Sequence, residues 1–274
     1  MTGLARSTYY YRPKVDPDAK AQQDADLRDR IERIQAEFPG YGYRRVYREL
    51  ERQGEIVNAK RLRRVMKQYG LKPITWRTFV HTTDSNHRFR VYPNLLKKFR
   101  VTGLNQAWAA DITYIRIRTG FVFLAAMLDL HSRKVIGWAI SKRIDRKLCI
   151  EALKMAIAAR PDARGCIHHS DRGVQYASDD YVEILRENGF QISMSAKGNP
   201  GDNAFVESFF KTLKYEEVHL WDYNTYEDVI ERVPYFIEEV YNRKRLHSSI
   251  GYRPPVEFEQ LVKLKRADPP VLNL

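Results

Sequence analysis

The chain has 274 residues, 43% of them hydrophobic and 30% charged, which suits one large or two smaller globular domains. No run approaches 18 consecutive apolar residues, and Met1-Thr-Gly-Leu-Ala-Arg-Ser-Thr-Tyr-Tyr10 lacks an apolar signal core, so the composition excludes a transmembrane helix and speaks against export. Cys149 and Cys166 form no CxxC pair and read as reduced and packed, while a net charge of +13 points to a polyanionic partner.

That charge is unevenly placed. Residues 1–103 hold 23 Lys and Arg against 11 Asp and Glu, and the remainder holds 24 against 23. A concentrated basic excess interleaved with Tyr is what a phosphate-tracking surface requires. Residues 1–21 read as a tail. Residues 22–72 follow as a small all-α domain of three helices. The first, over about 22–38, places Leu27, Ile31 and Ile34 at helical spacing, and Phe38-Pro-Gly-Tyr-Gly42 ends it. The second, about 43–53, puts Val46 and Leu50 on one face, and Gly54 closes it. Asn58 is a good N-cap for the third, about 59–69, with Gly70 and Pro73 behind it. Two short helices with a tight link, the second rich in base (Lys60, Arg61, Arg63, Arg64, Lys67), match a helix-turn-helix in outline. In that frame Arg61, Arg64 and Lys67 are expected to touch DNA phosphates. Residues 73–103 show no period and read as a basic linker.

From residue 104 the pattern changes to α/β and continues to about residue 260, with 261–274 as a C-terminal tail. Strand-like segments at 106–117, 121–130 and 133–141 are separated by Gly120 and His131-Ser132. A helix over 145–160 follows, then a strand at 165–169, a helix at 178–188, a short strand at 190–195 and a Gly-rich stretch at 197–202. A helix over 203–215 and a long helix over about 225–243 complete the series, the latter containing Pro234 and expected to kink there. Three sequential strands followed by alternating helices and strands make a layered α/β architecture. Trp108 and Trp138 read as core. His168 and His169 are adjacent on a strand, point to opposite faces and cannot easily share a zinc ion. Asp129 ends the second strand and reads as a turn former.

Three carboxylates stand out. Asp111 interrupts the strand Trp108-Ala-Ala-Asp-Ile-Thr-Tyr-Ile115. Asp171 lies in His168-His-Ser-Asp-Arg-Gly-Val-Gln-Tyr176, where a strand meets a turn. Glu207 lies in the helix Asn203-Ala-Phe-Val-Glu-Ser-Phe-Phe-Lys-Thr-Leu-Lys214, with 35 residues between it and Asp171. An unneutralised carboxylate in such apolar company is costly. Each like-charge pair at 4 Å would repel by about 4 kcal/mol at an effective dielectric of 20, a cost that bound cations remove. Hard divalent ions want oxygen ligands, and phosphoryl transfer on a nucleic-acid backbone often uses two of them. On the Glu207 helix, Lys211 and Lys214 follow at i+4 and i+7, where they share a face with it. Asn203 could orient a water or phosphate, and its simpler role is to cap this helix.

Taken together, these motifs resemble the integrase core of bacterial insertion-sequence transposases, in particular the OrfB product of the IS-three type, which is related to retroviral integrases. Tyr241-Asn242…Arg245-Leu-His247-Ser-Ser-Ile-Gly-Tyr-Arg-Pro-Pro255 is similar to that family's C-terminal signature, and Gly40-Tyr-Gly-Tyr-Arg-Arg45 to its helix-turn-helix. The resemblance implies an RNase H-like mixed sheet flanked by helices. It implies a DDE active site in which Asp111, Asp171 and Glu207 bind two Mg2+ ions, with Mn2+ as a substitute, for DNA cutting and joining. Lys211 and Lys214 match DNA-contacting lysines, and Arg44 and Arg45 fall in the matching helix-turn-helix segment. The implied partners are double-stranded DNA at element ends and target, further copies of the chain assembled on that DNA, and an upstream OrfA-type protein or fused segment. No membrane is implied, and the expected location is the cytoplasm, at the nucleoid when bound to DNA. The rival readings are a metal-dependent nuclease of the same fold and a non-catalytic DNA-binding regulator of transposition.

Overall fold

The computed structural model describes residues 17–74, 90–196 and 203–264. Two compact units divide the chain between Thr75 and Trp76. The Gly-rich stretch 197–202 and residues 75–89 of the expected linker fall outside the described residues.

The first unit is helical: α1 (Pro17–Glu37), α2 (Tyr43–Arg52) and α3 (Ala59–Gln68). Helix α1 begins at Pro17, inside the expected tail. Its buried Leu27, Ile31 and Ile34, with Phe38 beyond its end, meet Val46 and Leu50 of α2 and Leu62, Val65 and Met66 of α3 in a single small core. Asn58 caps α3 as its sequence position suggests, its side chain accepting from the Lys60 N–H at 2.8 Å. Gly54 takes φ of 79° and ends α2 with the Glu55 N–H returned to the Leu50 carbonyl at 2.8 Å.

The second unit holds a five-stranded sheet in the order β3-β2-β1-β4-β5. Its strands are β1 (Ala107–Ile117), β2 (Gly120–Asp129), β3 (Val135–Ser141), β4 (Ile167–Ser170) and β5 (Gln191–Met194). The first three pair antiparallel, and β4 and β5 add parallel strands on the far side of β1. This is the RNase H-like mixed sheet that the motifs imply. The helices are α4 (Arg146–Ala159), the single turn α5 (Val174–Ala177), α6 (Asp179–Glu187), α7 (Ala204–Leu213), α8 (Tyr226–Tyr235) and α9 (Pro255–Lys263).

Both sheet faces are covered. Trp108, Ala110, Met127 and Ala139 pack with Leu148, Cys149, Leu153 and Ala156 of α4 and with Tyr181 and Leu185 of α6. Gly137 on β3 makes this approach possible, because a Cβ there would come within 2.7 Å of the Ala156 Cβ. The opposite face carries Ala109, Ile115 and Leu124 against Val206, Phe209 and Leu213 of α7 and Val229 and Val233 of α8. Leu96 and Val101, in the segment read as linker, are buried in that same core.

Two features depart from the expected helices. Beyond Leu213, α7 widens into a π-helical turn over Lys214–Val218. Pro234 does not break α8. The α-helix runs through it to Tyr235, and the backbone is π-helical from Phe236 to Lys244. Helix α9, within the segment where no helix was read from the sequence, is anchored by Glu259. Its carboxylate takes the Ser132 hydroxyl at 2.7 Å and a buried ion pair from Arg160. No helix among the described residues is long and apolar enough to cross a membrane.

Candidate active site

Asp111 and Asp171 owe their proximity to strand register. Strand β4 runs parallel to β1 with Ala110 opposite Ser170, so the next residue on each chain is an aspartate. Neighbouring strands lie about 4.8 Å apart, which makes the two carboxylates natural neighbours. Asp111 projects to the sheet face covered by α7, the helix whose first turn bears Glu207. Asn203, at the N-cap of α7, does not cap it through its side chain. It donates instead from Nδ2 to the Ala110 carbonyl at 3.2 Å, tying the start of α7 to the residue before Asp111.

The electrostatics follow this placement. Withdrawal from water, and then the nearby Asp171 carboxylate, push the Asp111 carboxyl well above the ordinary carboxylate range. Glu207 adds to this rise, while the Ile112 N–H and the Lys214 ammonium oppose it. The Ile112 N–H donates to Asp111 Oδ1 at 2.8 Å. Asp171 is oriented in the same way, its Oδ1 accepting from the Gly173 N–H at 2.9 Å. A Cβ on Gly173 would sit 2.9 Å from that oxygen, so the glycine keeps room for the carboxylate. The neighbouring Arg172 donates from Nε to the Ser195 carbonyl at 2.8 Å.

Of the two expected DNA-contacting lysines on this helix, Lys214 is the one near the acids. Its ammonium lies 4.4 Å from the Tyr114 ring centroid, and burial lowers its pKa while Asp111 acts in the opposite direction. Lys211 is exposed, with its ammonium 5.7 Å from the Tyr215 ring. Asp129 is the turn former its position suggests, with Oδ1 accepting from the His131 and Ser132 N–H groups, each at 2.9 Å. His168 bonds to Tyr181 and His169 to Ser193 and Ser195, on opposite sides of β4. Both cysteines are free and buried.

As the side chains stand, no three His, Cys, Asp or Glu residues among the described residues are gathered closely enough to enclose a metal ion. Asp171 and Glu207 both act electrostatically on Asp111. The donor set fits hard divalent cations: every group is a carboxylate oxygen, two are held by backbone N–H groups, and Glu207 is exposed and can change rotamer.

In the helical unit, Lys67 and Arg44 are exposed and Arg45 is half-buried, its guanidinium 5.6 Å from the Tyr41 ring. Arg61 and Arg64 both engage Asp24 of α1, at 3.0 and 2.6 Å. Burial raises the Asp24 carboxyl, but the two guanidinium groups together outweigh it and leave its pKa below the ordinary value. Sequence reading missed this pairing because nothing in spacing joins residues 24 and 64. It also missed Tyr114 and Gly173. Gly173 had a signal, since a glycine two residues after a loop aspartate marks a turn closed by that side chain.

Comparison with known proteins agrees with this architecture. An HTH-like domain model matches residues 22–78, and two integrase core domain models match residues 102–200 and 188–255. The 31 kDa protein of insertion element IS600 from Shigella sonnei is 38% identical over 260 residues, covering 94% of this chain and 96% of that protein. Transposase InsF of insertion sequence IS3A from Escherichia coli K12 is 42% identical over 220 residues, covering 80% and 76%. Among solved structures, the simian T-cell lymphotropic virus intasome in complex with PP2A regulatory subunit B56 gamma aligns with a TM-score of 0.49 at 16% identity, covering 80% of this chain and 71% of that chain.

Proposed function

The chain belongs to the IS3 family of insertion-sequence transposases, and on that premise we propose that it cuts and joins DNA through Asp111, Asp171 and Glu207. The observation that carries this reading is the electrostatic coupling of Asp111 to both other acids and to Lys214 at one end of the sheet. An arrangement that destabilises its own charges suits a site whose partner is cationic.

Two Mg2+ ions, or Mn2+ in their place, supply Lewis acidity and an activated nucleophile at such a donor set. The protein's part is to present the oxygens. The Ile112 and Gly173 N–H groups fix one oxygen each of Asp111 and Asp171. Glu207 closes from the helix side. The Lys214 ammonium, beside Asp111 and over Tyr114, holds a phosphate oxygen of the bound strand and offsets charge as it builds. Water attacks phosphorus at the element end, an O–P bond forms, the P–O3′ bond breaks, and the departing 3′ oxygen takes a proton. That 3′-hydroxyl then attacks a target phosphodiester in line, so a new O–P bond replaces the old one and no covalent protein intermediate forms. The basic helical unit engages duplex DNA through Arg44, Arg45 and Lys67 and the outward N–H groups of Arg61 and Arg64. Further copies of the chain, and an OrfA-type partner or fused segment, complete the assembly on the element ends.

The test uses a duplex carrying the element's terminal inverted repeats, incubated with the full chain and Mg2+, with OrfA-type protein added in a parallel arm. Joined strand-transfer product is the expected result. Hydrolysis without joining in both arms identifies a nuclease, and binding without cleavage in both arms identifies a regulator.

A further inference from the structure

We propose that the C-terminal signature is a brace for the helix that carries Glu207 and Lys214, with Arg245 as its positioning residue. The proposal rests on the assignment of Glu207 and Lys214 to strand transfer. It accounts for a motif, Tyr241-Asn242…Arg245…His247, that the catalytic carboxylates leave unused.

The brace grips α7 at two places. Midway along the helix, the Phe209 ring meets Tyr241 edge-on with centroids 4.8 Å apart. Tyr241 is backed by His247, whose ring lies 4.6 Å away and whose Nε2 lies 3.3 Å from the Tyr241 carbonyl oxygen. Phe209 is two residues beyond Glu207. At the C-terminal end, the π-helical turn that begins with Lys214 directs two consecutive carboxylates inward. Arg245 donates from Nε and from a terminal nitrogen to the two oxygens of Glu216, each at 2.7 Å. Arg232 of α8 donates to Glu217 at 2.7 Å, and the Tyr223 hydroxyl donates to the same carboxylate oxygen at 2.8 Å.

The Arg245–Glu216 pair is enclosed, with side chains 5% and 8% exposed. A planar fork on a carboxylate fixes orientation as well as distance, which a single ammonium cannot do. The C-terminal segment is in turn fastened to the sheet. The Asn242 side chain exchanges hydrogen bonds with both the N–H and the carbonyl of Val135, each at 3.0 Å, at the start of β3. The chain from β3 through Asn242 and Arg245 to Glu216 therefore fixes the rotation of the turn that holds Lys214 over Tyr114. Without it, the turn that bears Lys214 would keep only single-oxygen contacts at Glu217 and apolar packing, which tolerate rotation better than a two-point pair does.

The experiment compares wild type, Arg245→Lys, the reversed pair Glu216→Arg with Arg245→Glu, and two controls, in strand transfer measured against DNA concentration. Rates are expressed per folded molecule, with the folded fraction taken from circular dichroism melts. The first control, Glu259→Gln, weakens a buried pair of the same kind that does not touch α7. The second, Glu207→Gln, tests the premise. The expected result is a fall of at least about tenfold in the saturating rate for Arg245→Lys, equivalent to about 1.4 kcal/mol in barrier. Its half-saturating DNA concentration stays within about twofold of wild type, since no phosphate contact is lost. The reversed pair recovers most of the lost rate, and Glu259→Gln loses thermal stability but not rate. A wild-type rate per folded molecule in Arg245→Lys overturns the brace, as does an equal fall in Glu259→Gln. Full activity in Glu207→Gln removes the premise and the brace with it.

Discussion

In the proposed mechanism, Asp111 is the residue at which stability and chemistry oppose each other. Its folded pKa is raised above the ordinary value of 3.8, so the unfolded chain releases this proton at lower pH than the folded one does. The contribution to stability is complete below 3.8 and is lost as pH rises through the folded pKa. Asp111→Asn should therefore raise the melting temperature of the metal-free protein at pH 7, and the advantage over wild type should shrink as pH falls toward 4. Thermal melts across that range check the sign, and a lower melting temperature at pH 7 would contradict it. Gly173 offers a steric counterpart. In Gly173→Ala the added methyl crowds Asp171 Oδ1, so strand transfer should drop by about tenfold or more, about 1.4 kcal/mol, while duplex binding is kept. Kinetics run beside a binding titration check this. At this scale Asp111 and Glu207 stand out in the sequence because each interrupts an apolar pattern, and Asp171 because it follows a strand at a turn. The contacts that orient them, such as the Ile112 and Gly173 N–H groups, were not legible because they depend on the local backbone path.

At the level of elements, the sheet was legible where local chemistry decides. Gly120 and His131-Ser132 mark the turns of β1–β3, and Asn58 and Asp145 stand where α3 and α4 begin. The elements that depend on distant partners were hidden. The π-helical turns after Leu213 and Tyr235 leave no mark in spacing; the first lies where Glu216 and Glu217 meet Arg245 and Arg232 from a distant part of the chain. Helix α9 carries only Pro255 as a start signal and is held by Arg160 and Ser132, far away in sequence. Removing one partner from such a buried pair costs about 3–5 kcal/mol, so Glu259→Ala should destabilise the catalytic unit by that amount in chemical denaturation. A loss below about 1 kcal/mol would show that α9 is held by its apolar contacts alone. In the helical unit, Asp24 has its pKa depressed by Arg61 and Arg64, so its contribution is present above 3.8 and lost as pH falls through the folded value. Asp24→Asn should lower stability at pH 7, with the difference closing in acid, as melts of the two proteins over that pH range would show.

Across the whole molecule, charge and chemistry are divided between parts. Residues 1–103 carry a net +12 and the remainder +1. The N-terminal part should therefore supply most of the salt-dependent affinity for duplex DNA, with each lost phosphate contact reducing the slope of log K against log salt by about 0.9. Lys67→Ala should flatten the slope by about that much if it contacts phosphate. Arg64→Ala should also destabilise the helical unit, because it strips a partner from buried Asp24. The acids proposed as catalytic should behave in the opposite way, touching rate and not affinity. The most direct test of this account is strand transfer by Asp111→Asn in Mg2+ on DNA carrying the element ends, with duplex affinity measured on the same preparation. The account predicts that cleavage and joining disappear while affinity stays within about twofold of wild type, since a ligand oxygen is lost and a phosphate contact is not. Activity retained within about tenfold of wild type, a barrier difference of about 1.4 kcal/mol, would contradict it.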